Sequence, residues 1–320
     1  MISKNNTRFS ANSPQLPEPR ERQDVIIPAK DGLLLRGTMF RPQTNPADVR
    51  GVVTVHGGTG VPEGFYHRFA QAMAEKRFAV VCYDYRGCGR SGMKMDERSD
   101  FYRMSDWITR DVPGVIEWAR DAFEGLPHLA VGHAVGGHGI LYAGGEGTYD
   151  ATALINCRGM RMKKVPSLAG KIRAFTLFNI VGPISAKLTG HIPASAWKLT
   201  QEPPIGVMRQ WAKWARHNDY FFGDDEFDFE TRFSKVSQPV LSIRVPDDYW
   251  TEESSADLIT DRLTAATVEK RQARPARGEG VGYGGYFRKG HDKEWAELVE
   301  WFDQKIGARV VGQAEVEPPR

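Results

Sequence analysis

The first hydrophobic pattern in the chain is that of a hairpin. Residues 24–29 (DVIIPA) and 33–40 (LLLRGTMF) are apolar runs on either side of Lys30-Asp31-Gly32. Glycine readily adopts the positive φ that a tight turn needs, so this spacing predicts two antiparallel strands.

From residue 51 the pattern changes to apolar blocks that alternate with amphipathic stretches. The blocks predict strands at residues 51–56, 78–85, 129–133, 151–157, 239–245 and 267–273. Helices are predicted between them, and two have a clear apolar face, formed by Val112, Val115, Ile116, Ala119 and Phe123 and by Trp295, Leu298, Val299, Phe302 and Ile306. Pro113 fits best near the start of its helix. Such alternation predicts an α/β fold with a parallel sheet and crossover helices.

The alternation stops between residues 158 and 237, where helical stretches, prolines and many aromatic residues occur. We interpret this segment as a helical cap, whose aromatic side chains either line an apolar pocket or pack in a core. The predicted organisation is a flexible polar N-terminus (1–23), a core in two parts (24–157 and 238–306), the cap (158–237) and a loose tail (307–320).

The most informative segment is LAVGHAVGGHG, residues 129–139, an apolar strand that runs into a helix through Gly132-His133-Ala134-Val135-Gly136. This pentapeptide resembles the G-x-S-x-G nucleophile elbow, in which small residues allow a sharp strand-to-helix turn that raises the central side chain. Here the central side chain is a methyl group.

Three further segments, residues 56–92, 105–119 and 241–250, resemble the α/β-hydrolase superfamily, specifically its serine-aminopeptidase-like branch of bacterial proteins. The likeness spans residues 24–306. It implies an α/β-hydrolase fold: a mostly parallel eight-stranded sheet, helices on both faces and a helical cap.

In that family a serine attacks a carbonyl, a histidine takes its proton and an acid orients the histidine. The resemblance places Ala134 at the serine position and Asp248 at the acid position, with Asp247 as the alternative. For the histidine, the stretch GYGGYFR (282–288) matches the branch's G-H-F-G-F-F-R and puts Tyr283 at the base position. The pair Gly290-His291 before the last helix fits a looser pattern of the superfamily, so His291 stays a second candidate.

The oxyanion hole of the family is formed by backbone N–H groups and does not depend on the serine side chain. The resemblance assigns it to Val135, which follows the elbow position, and to Gly58 and Thr59 in the loop after the strand 51–56. The helix that begins beside Ala134 adds a partial positive charge.

The composition restricts the partners. The 43 Lys and Arg residues nearly balance the 40 Asp and Glu residues, which favours a small-molecule ligand and neither nucleic acid nor a membrane. Three cysteines without ligand spacing predict no metal site and a reducing, cytoplasmic location, and no cofactor motif or leader is recognised. Oligomeric state is not readable from the sequence.

Three functions remain open. The first is a non-hydrolytic member that binds a small carbonyl-containing or apolar ligand under the cap. The second is an ester, amide or thioester hydrolase represented by a serine-to-alanine variant at position 134. The third is a lyase, isomerase or cyclase that uses the oxyanion hole without a nucleophile.

Overall fold

The computed structural model describes residues 22–93, 96, 99–145, 148–165, 167–248, 253–276 and 280–314, and the side chains of 308–314 are not described. Most of the predicted flexible N-terminus therefore lies outside the described residues. Its last two residues, Arg22 and Gln23, belong to the first strand.

One eight-stranded sheet has the strand order β1-β2-β4-β3-β5-β6-β7-β8. Strands β1 and β2 form the predicted antiparallel hairpin, and β2 pairs antiparallel with β4, whereas all the later pairs are parallel. The strands are Arg22–Pro28, Leu34–Phe40, Gly51–His56, Phe78–Tyr83, His128–His133, Ala151–Ile155, Val240–Arg244 and Val268–Gln272. The predicted fold class is confirmed.

Every residue of the four strands β3 to β6 is buried, because crossover helices cover both faces of the sheet. The α-helices α1 to α10 are His67–Glu75, Met104–Asp106, Val112–Ala122, Val135–Ala143, Leu168–Thr176, Gly182–Thr189, Ile205–Arg216, Phe229–Ser234, Asp257–Thr260 and Asp292–Ala314. Among the described helices, none is both long enough and apolar enough to cross a membrane.

Two wide π-helical turns join neighbouring helices into longer ones. The turn Trp107–Asp111 joins α2 to α3, and Pro113 is the second residue of α3, which agrees with its predicted place near a helix start. A proline inside a helix has no N–H to donate, and its ring clashes with the carbonyl four residues before it. The wide turn just before Pro113 changes that spacing and accommodates the ring.

The chain end differs from the prediction. Helix α10 continues to Ala314, seven residues beyond the predicted start of a loose tail at 307. Glycine often ends a helix by adopting a positive φ, but Gly307 does not adopt one, so the helix continues through it.

Between β6 and β7 the chain is helical, with α5 to α8 and several 3-10 turns. A second wide turn, Leu177–Val181, joins α5 to α6 into one continuous helix. Most of the aromatic residues in this segment pack into the larger hydrophobic core, as Trp214, Phe221 and Phe229 do. Tyr220 belongs to the same core and Trp211 packs against it, and both also line the cavity described below.

Candidate active-site cavity

The elbow has the strained backbone that the motif predicts. Strand β5 ends at His133, Ala134 follows with φ 47° and ψ −112°, and α4 begins at Val135. A positive φ is rare for a residue with a Cβ and costs of order 1–3 kcal/mol. The turn is anchored by a hydrogen bond of 3.1 Å from the Ala134 N–H to the Ile155 carbonyl.

The glycines around Ala134 are required by close approach. A Cβ on Gly136 would lie 2.1 Å from the His56 carbonyl oxygen, and one on Gly132 would lie 2.6 Å from the Gly137 Cα. Such contacts would displace backbone, so only glycine fits. The elbow therefore retains the small residues and the tight turn that present a side chain at the sheet edge, although Ala134 presents only a methyl group.

A cavity of about 50 Å³ lies over Ala134, where four neighbouring parallel strands end. Such an edge is where open α/β sheets bind ligands. The cavity is lined by residues that follow β3, β5, β6 and β7 together with residues of the cap, namely Thr59, Met104, Ala134, Val135, His138, Asn156, Arg158, Met160, Leu199, Trp211, Tyr220, Asp248 and Tyr283. Of the predicted site residues, Ala134, Val135, Thr59, Asp248 and Tyr283 meet there.

The two candidate acids have different surroundings. Asp248 is buried in the cavity wall, and its Oδ2 accepts a 2.8 Å hydrogen bond from Asn156 Nδ2. Asp247 is exposed, and its Oδ1 accepts a 3.0 Å hydrogen bond from the Gly282 N–H. Asp248 is thus the carboxylate placed to act in the cavity, whereas Asp247 holds the loop that carries Tyr283.

The two candidates for the base position lie in different places. Tyr283 lines the cavity, and its hydroxyl lies 3.4 Å from the Thr59 carbonyl oxygen. His291 is buried elsewhere, with Nδ1 3.4 Å from the Arg288 carbonyl oxygen and Nε2 3.6 Å from a Glu294 carboxylate oxygen. The structure therefore brings Tyr283 to Ala134 and does not bring His291 there.

A hydrogen-bond chain links the two glycine-rich loops through His133. The Gly58 N–H donates to the Tyr66 hydroxyl (2.7 Å), which lies 2.8 Å from His133 Nδ1, and His133 Nε2 lies 2.8 Å from the Tyr283 carbonyl oxygen. A carbonyl only accepts, so Nε2 carries the proton and Nδ1 accepts from Tyr66. Burial lowers the pKa of His133 to about 4, which agrees with this neutral tautomer.

This chain changes the prediction for the oxyanion hole. The Gly58 N–H already donates to Tyr66, so it does not serve an oxyanion in this structure. Thr59 and Val135 do line the cavity and remain the candidate residues. The Tyr66 hydroxyl carried no sequence signal, because it belongs to a helix start eight residues further along the chain.

Three polar cavity residues were missed by sequence reasoning. Asn156, with φ 51°, follows β6 and holds Asp248, and its Oδ1 is buried without a hydrogen-bond partner among the described residues. The second is His138 on α4, whose Nε2 lies 3.1 Å from the Arg158 carbonyl oxygen, and burial lowers the pKa of His138 to about 3. Arg158 is the third. The position of His138 four residues after Ala134, one helical turn away, was the available signal.

The cysteines lie away from the cavity. Cys82, Cys88 and Cys157 are buried in the core, and none of them lines the cavity. Burial raises the pKa of Cys157 and Cys82 well above the ordinary value, which keeps both as unreactive thiols. Within the described part of the chain no cluster of His, Cys, Asp or Glu has the arrangement of a metal site.

The strand, the strained residue and the helix at the centre of this mixed sheet, with a buried carboxylate after a later strand, define the α/β-hydrolase fold. Residues 47–200 match the family model of the S33 serine aminopeptidases. These findings place the chain among proteins with the α/β-hydrolase fold, and just under half of it resembles the S33 serine aminopeptidases.

Individual relatives agree with this placement. A monoacylglycerol lipase of Mycolicibacterium smegmatis is 34% identical over 119 residues, which cover 36% of this chain and 40% of the lipase. The Escherichia coli protein YfhR is 27% identical over 135 residues, or 41% of this chain and 44% of that protein. The matched region thus spans less than half the length of these curated relatives.

Solved structures share the fold over most of the chain. An esterase of Pyrococcus furiosus has a TM-score of 0.59 at 14% identity and covers 92% of this chain and 97% of its own. An esterase of Exiguobacterium antarcticum has a TM-score of 0.58 at 16% identity, with coverage of 87% and 99%. At such identities the likeness describes the fold alone.

Proposed function

We propose that this chain is a non-hydrolytic α/β-hydrolase-fold protein that binds a small ligand in the cavity under the cap. The observation that carries the proposal is the methyl group of Ala134 at the strained elbow, where a hydrolase presents its nucleophilic oxygen. Without that oxygen no acyl-enzyme forms, and removal of a triad serine costs several orders of magnitude in rate.

The missing base supports the proposal independently. Tyr283 occupies the cavity wall beside Asp248, and a tyrosine hydroxyl is protonated at neutral pH and takes no proton from a serine. His133 is the imidazole nearest to Tyr283, with ring centroids 4.6 Å apart, but both of its nitrogens are engaged in hydrogen bonds. Two of the three triad roles are therefore unfilled.

The residues that line the cavity restrict the size and the chemistry of the ligand. A cavity of about 50 Å³ holds only a few atoms, so either a small group enters or the cap side chains Leu199 and Trp211 move. Beside the Ala134 methyl, the backbone of Val135 at the start of α4 favours a carbonyl oxygen or an anion. A small carbonyl-containing ligand with an apolar part fits this combination.

The second candidate function is hydrolysis by a protein that carries serine at position 134. The lipase and esterase names among the relatives favour it. It requires His291 to act as base, and the contacts of His291 with Arg288 and Glu294 oppose this.

Four proteins separate the two functions: the unchanged chain, Ala134→Ser, Ala134→Ser with Tyr283→His, and Ala134→Ser with His291→Ala. Fluorophosphonate labelling and hydrolysis of a p-nitrophenyl ester are measured for each. We expect background activity from the unchanged chain and from Ala134→Ser. Adding Tyr283→His should raise the rate by about hundredfold, since a positioned base contributes at least that much.

The opposite result would identify the hydrolase. If Ala134→Ser alone is labelled and hydrolyses the ester, and His291→Ala abolishes both, the non-hydrolytic proposal is wrong.

Ligand binding by the unchanged chain is measured with short acyl amides, through the quenching of Trp211 fluorescence. Trp211→Phe is the control.

The buried thiols of Cys82 and Cys157, which form no disulfide, also support a proposed cytoplasmic location, because a reducing compartment keeps cysteines reduced. Culture fractionation tests it, and recovery of the protein outside the cytoplasmic and membrane-associated fractions would contradict it.

A further inference from the structure

The cap carries an exposed apolar surface on one continuous helix. We define the cap helix as α5, the wide turn Leu177–Val181 and α6, which together run from residue 168 to residue 189. Six large apolar side chains on it are 45% to 77% exposed, namely Leu168, Ile172, Phe175, Ile180, Ile184 and Leu188. Exposed apolar groups concentrated on one element mark an interaction surface.

The wide turn brings these side chains into line. Leu168, Ile172 and Phe175 follow the spacing of an α-helical face, and so do Ile180, Ile184 and Leu188. The two series are separated by the five-residue step from Phe175 to Ile180, which would rotate the second series away in a regular α-helix. A π turn closes at five residues and keeps both series on one side.

The opposite side of the cap helix already packs on the protein. Ala174, Leu177 and Phe178 are buried, and the Phe178 ring contacts Trp211 with centroids 5.2 Å apart. The outward apolar side chains are therefore not needed to hold the helix on the cap. Large apolar groups in water are unfavourable, so we expect these exposed side chains to have a role other than packing in the cap.

The charge of the segment around the cap helix indicates the chemistry of the partner. The segment from residue 158 to residue 201 contains no Asp or Glu and eight basic residues, Arg158, Arg161, Lys163, Lys164, Lys171, Arg173, Lys187 and Lys198. The whole chain is nearly balanced, with 43 basic and 40 acidic residues, so this segment is a local exception. Lys171 and Lys187 are exposed on the cap helix, and neither forms an ion pair with another described residue.

We propose that the cap helix docks on an anionic lipid bilayer, with its apolar side chains at the acyl boundary and its lysines among the headgroups. Amphipathic helices with basic flanks bind membrane surfaces in this way without spanning them. A second copy of this chain would bring the same positive charge against itself, which disfavours it as the partner. This proposal differs from the expectation, based on the charge of the whole chain, that the protein binds no membrane. It holds whether or not the cavity is catalytic.

The test is sedimentation of the full chain with vesicles of phosphatidylcholine alone or mixed with phosphatidylglycerol. The unchanged chain should bind only the mixed vesicles and be released as salt shortens the Debye length. Ile172→Gln with Phe175→Gln should weaken binding by about tenfold or more, because two exposed apolar anchors are lost. Lys171→Gln with Lys187→Gln should weaken it by about tenfold at low salt.

Matched controls keep the outcome interpretable. Phe101 is 87% exposed and lies outside the cap, so Phe101→Gln should bind as the unchanged chain does, and so should Lys289→Gln. Circular dichroism checks the fold, which exposed substitutions should preserve. Equal binding by all variants, or no binding to mixed vesicles, overturns the proposal. A lipid-independent dimer that Ile172→Gln with Phe175→Gln dissociates would assign the surface to a second copy.

Discussion

The elbow and the Tyr283 loop both line the cavity, and they match the pattern of a hydrolytic site to different extents. At the elbow every backbone feature is present: the positive φ of Ala134, the close-fitting Gly136 and the helix α4 that begins there. In the loop that carries Tyr283 the backbone is tied to Asp247 and His133, but the side chain is a phenol where the family resemblance leads us to expect an imidazole.

This difference shows which parts of the site also hold the fold together. The elbow backbone holds β5, α4 and the strand β3 together, so its loss would damage the fold itself. The side chain of Ala134 lines the cavity, and that of Tyr283 adds only contacts with Thr59 and the His133 ring, so we expect changes at these two positions to disturb the fold less. The following predictions test this division, beginning with the largest expected effect.

Acidification should destabilise the elbow side of the molecule strongly. Burial lowers the pKa of His56 to about 3, of His133 to about 4 and of His138 to about 3, all below the ordinary value of 6.5. The folded state therefore binds fewer protons than the unfolded state, and stability that is complete above pH 6.5 is lost as the pH falls. Each histidine should cost about 2 kcal/mol between pH ~7 and pH ~5.

Urea unfolding at the two pH values measures this effect. His138→Gln should remove its own contribution of about 2 kcal/mol, and His217→Gln, at an exposed position, is the comparison. The raised pKa values of Asp84, to about 6, and of Asp111, to about 7, act in the opposite direction over this range, so the contribution is taken as the difference from the unchanged chain. An unaltered pH dependence in His138→Gln would contradict the assigned role of burial.

Gly136→Ala should destabilise the fold by about 3 kcal/mol, because its Cβ would meet the His56 carbonyl oxygen at 2.1 Å. Gly145→Ala is the matched control, since nothing lies within 4 Å of a Cβ there. Denaturant unfolding measures both. Equal stability of the two variants would show that the elbow backbone can relax and that the proposed division between the two sides is wrong.

Tyr66→Phe should cost about 2 kcal/mol, because it leaves the buried Gly58 N–H and His133 Nδ1 without their shared partner. The control is Tyr142→Phe, whose hydroxyl makes no hydrogen bond within the described ranges. In a background of Ala134→Ser with Tyr283→His, Tyr66→Phe should also raise ester hydrolysis by about tenfold, since the Gly58 N–H becomes available to an oxyanion. An unchanged rate there would remove Gly58 from the oxyanion hole altogether.

Asp247→Ala should have the smallest effect, about 0.5–1 kcal/mol in thermal unfolding, because the bond from the Gly282 N–H to its carboxylate is exposed. Asp225→Ala, at another exposed position, provides the comparison. A loss several times larger would mean that the Tyr283 loop is as integral to the fold as the elbow.

Much of the fold could be predicted because its signals are local. The run of buried strands, the Gly32 turn and the glycines around Ala134 each leave a pattern within a few residues. The wide turn before Pro113 and the length of α10 could not be predicted, since a wide turn and a helix end depend on packing beyond the local sequence.

The residues of the candidate site also fall into those that local sequence predicts and those that depend on packing. By itself the sequence determined that an alanine stands at the turn between β5 and α4 and that an aspartate follows β7, because residue identity and chain order suffice for both statements. Only the tertiary structure decided that Asp248 and not Asp247 faces the cavity, that Tyr283 and not His291 stands beside Ala134, and that Tyr66 occupies the Gly58 N–H. These outcomes depend on contacts between residues distant in the chain, and those distances are set by how the loops pack at the edge of the sheet.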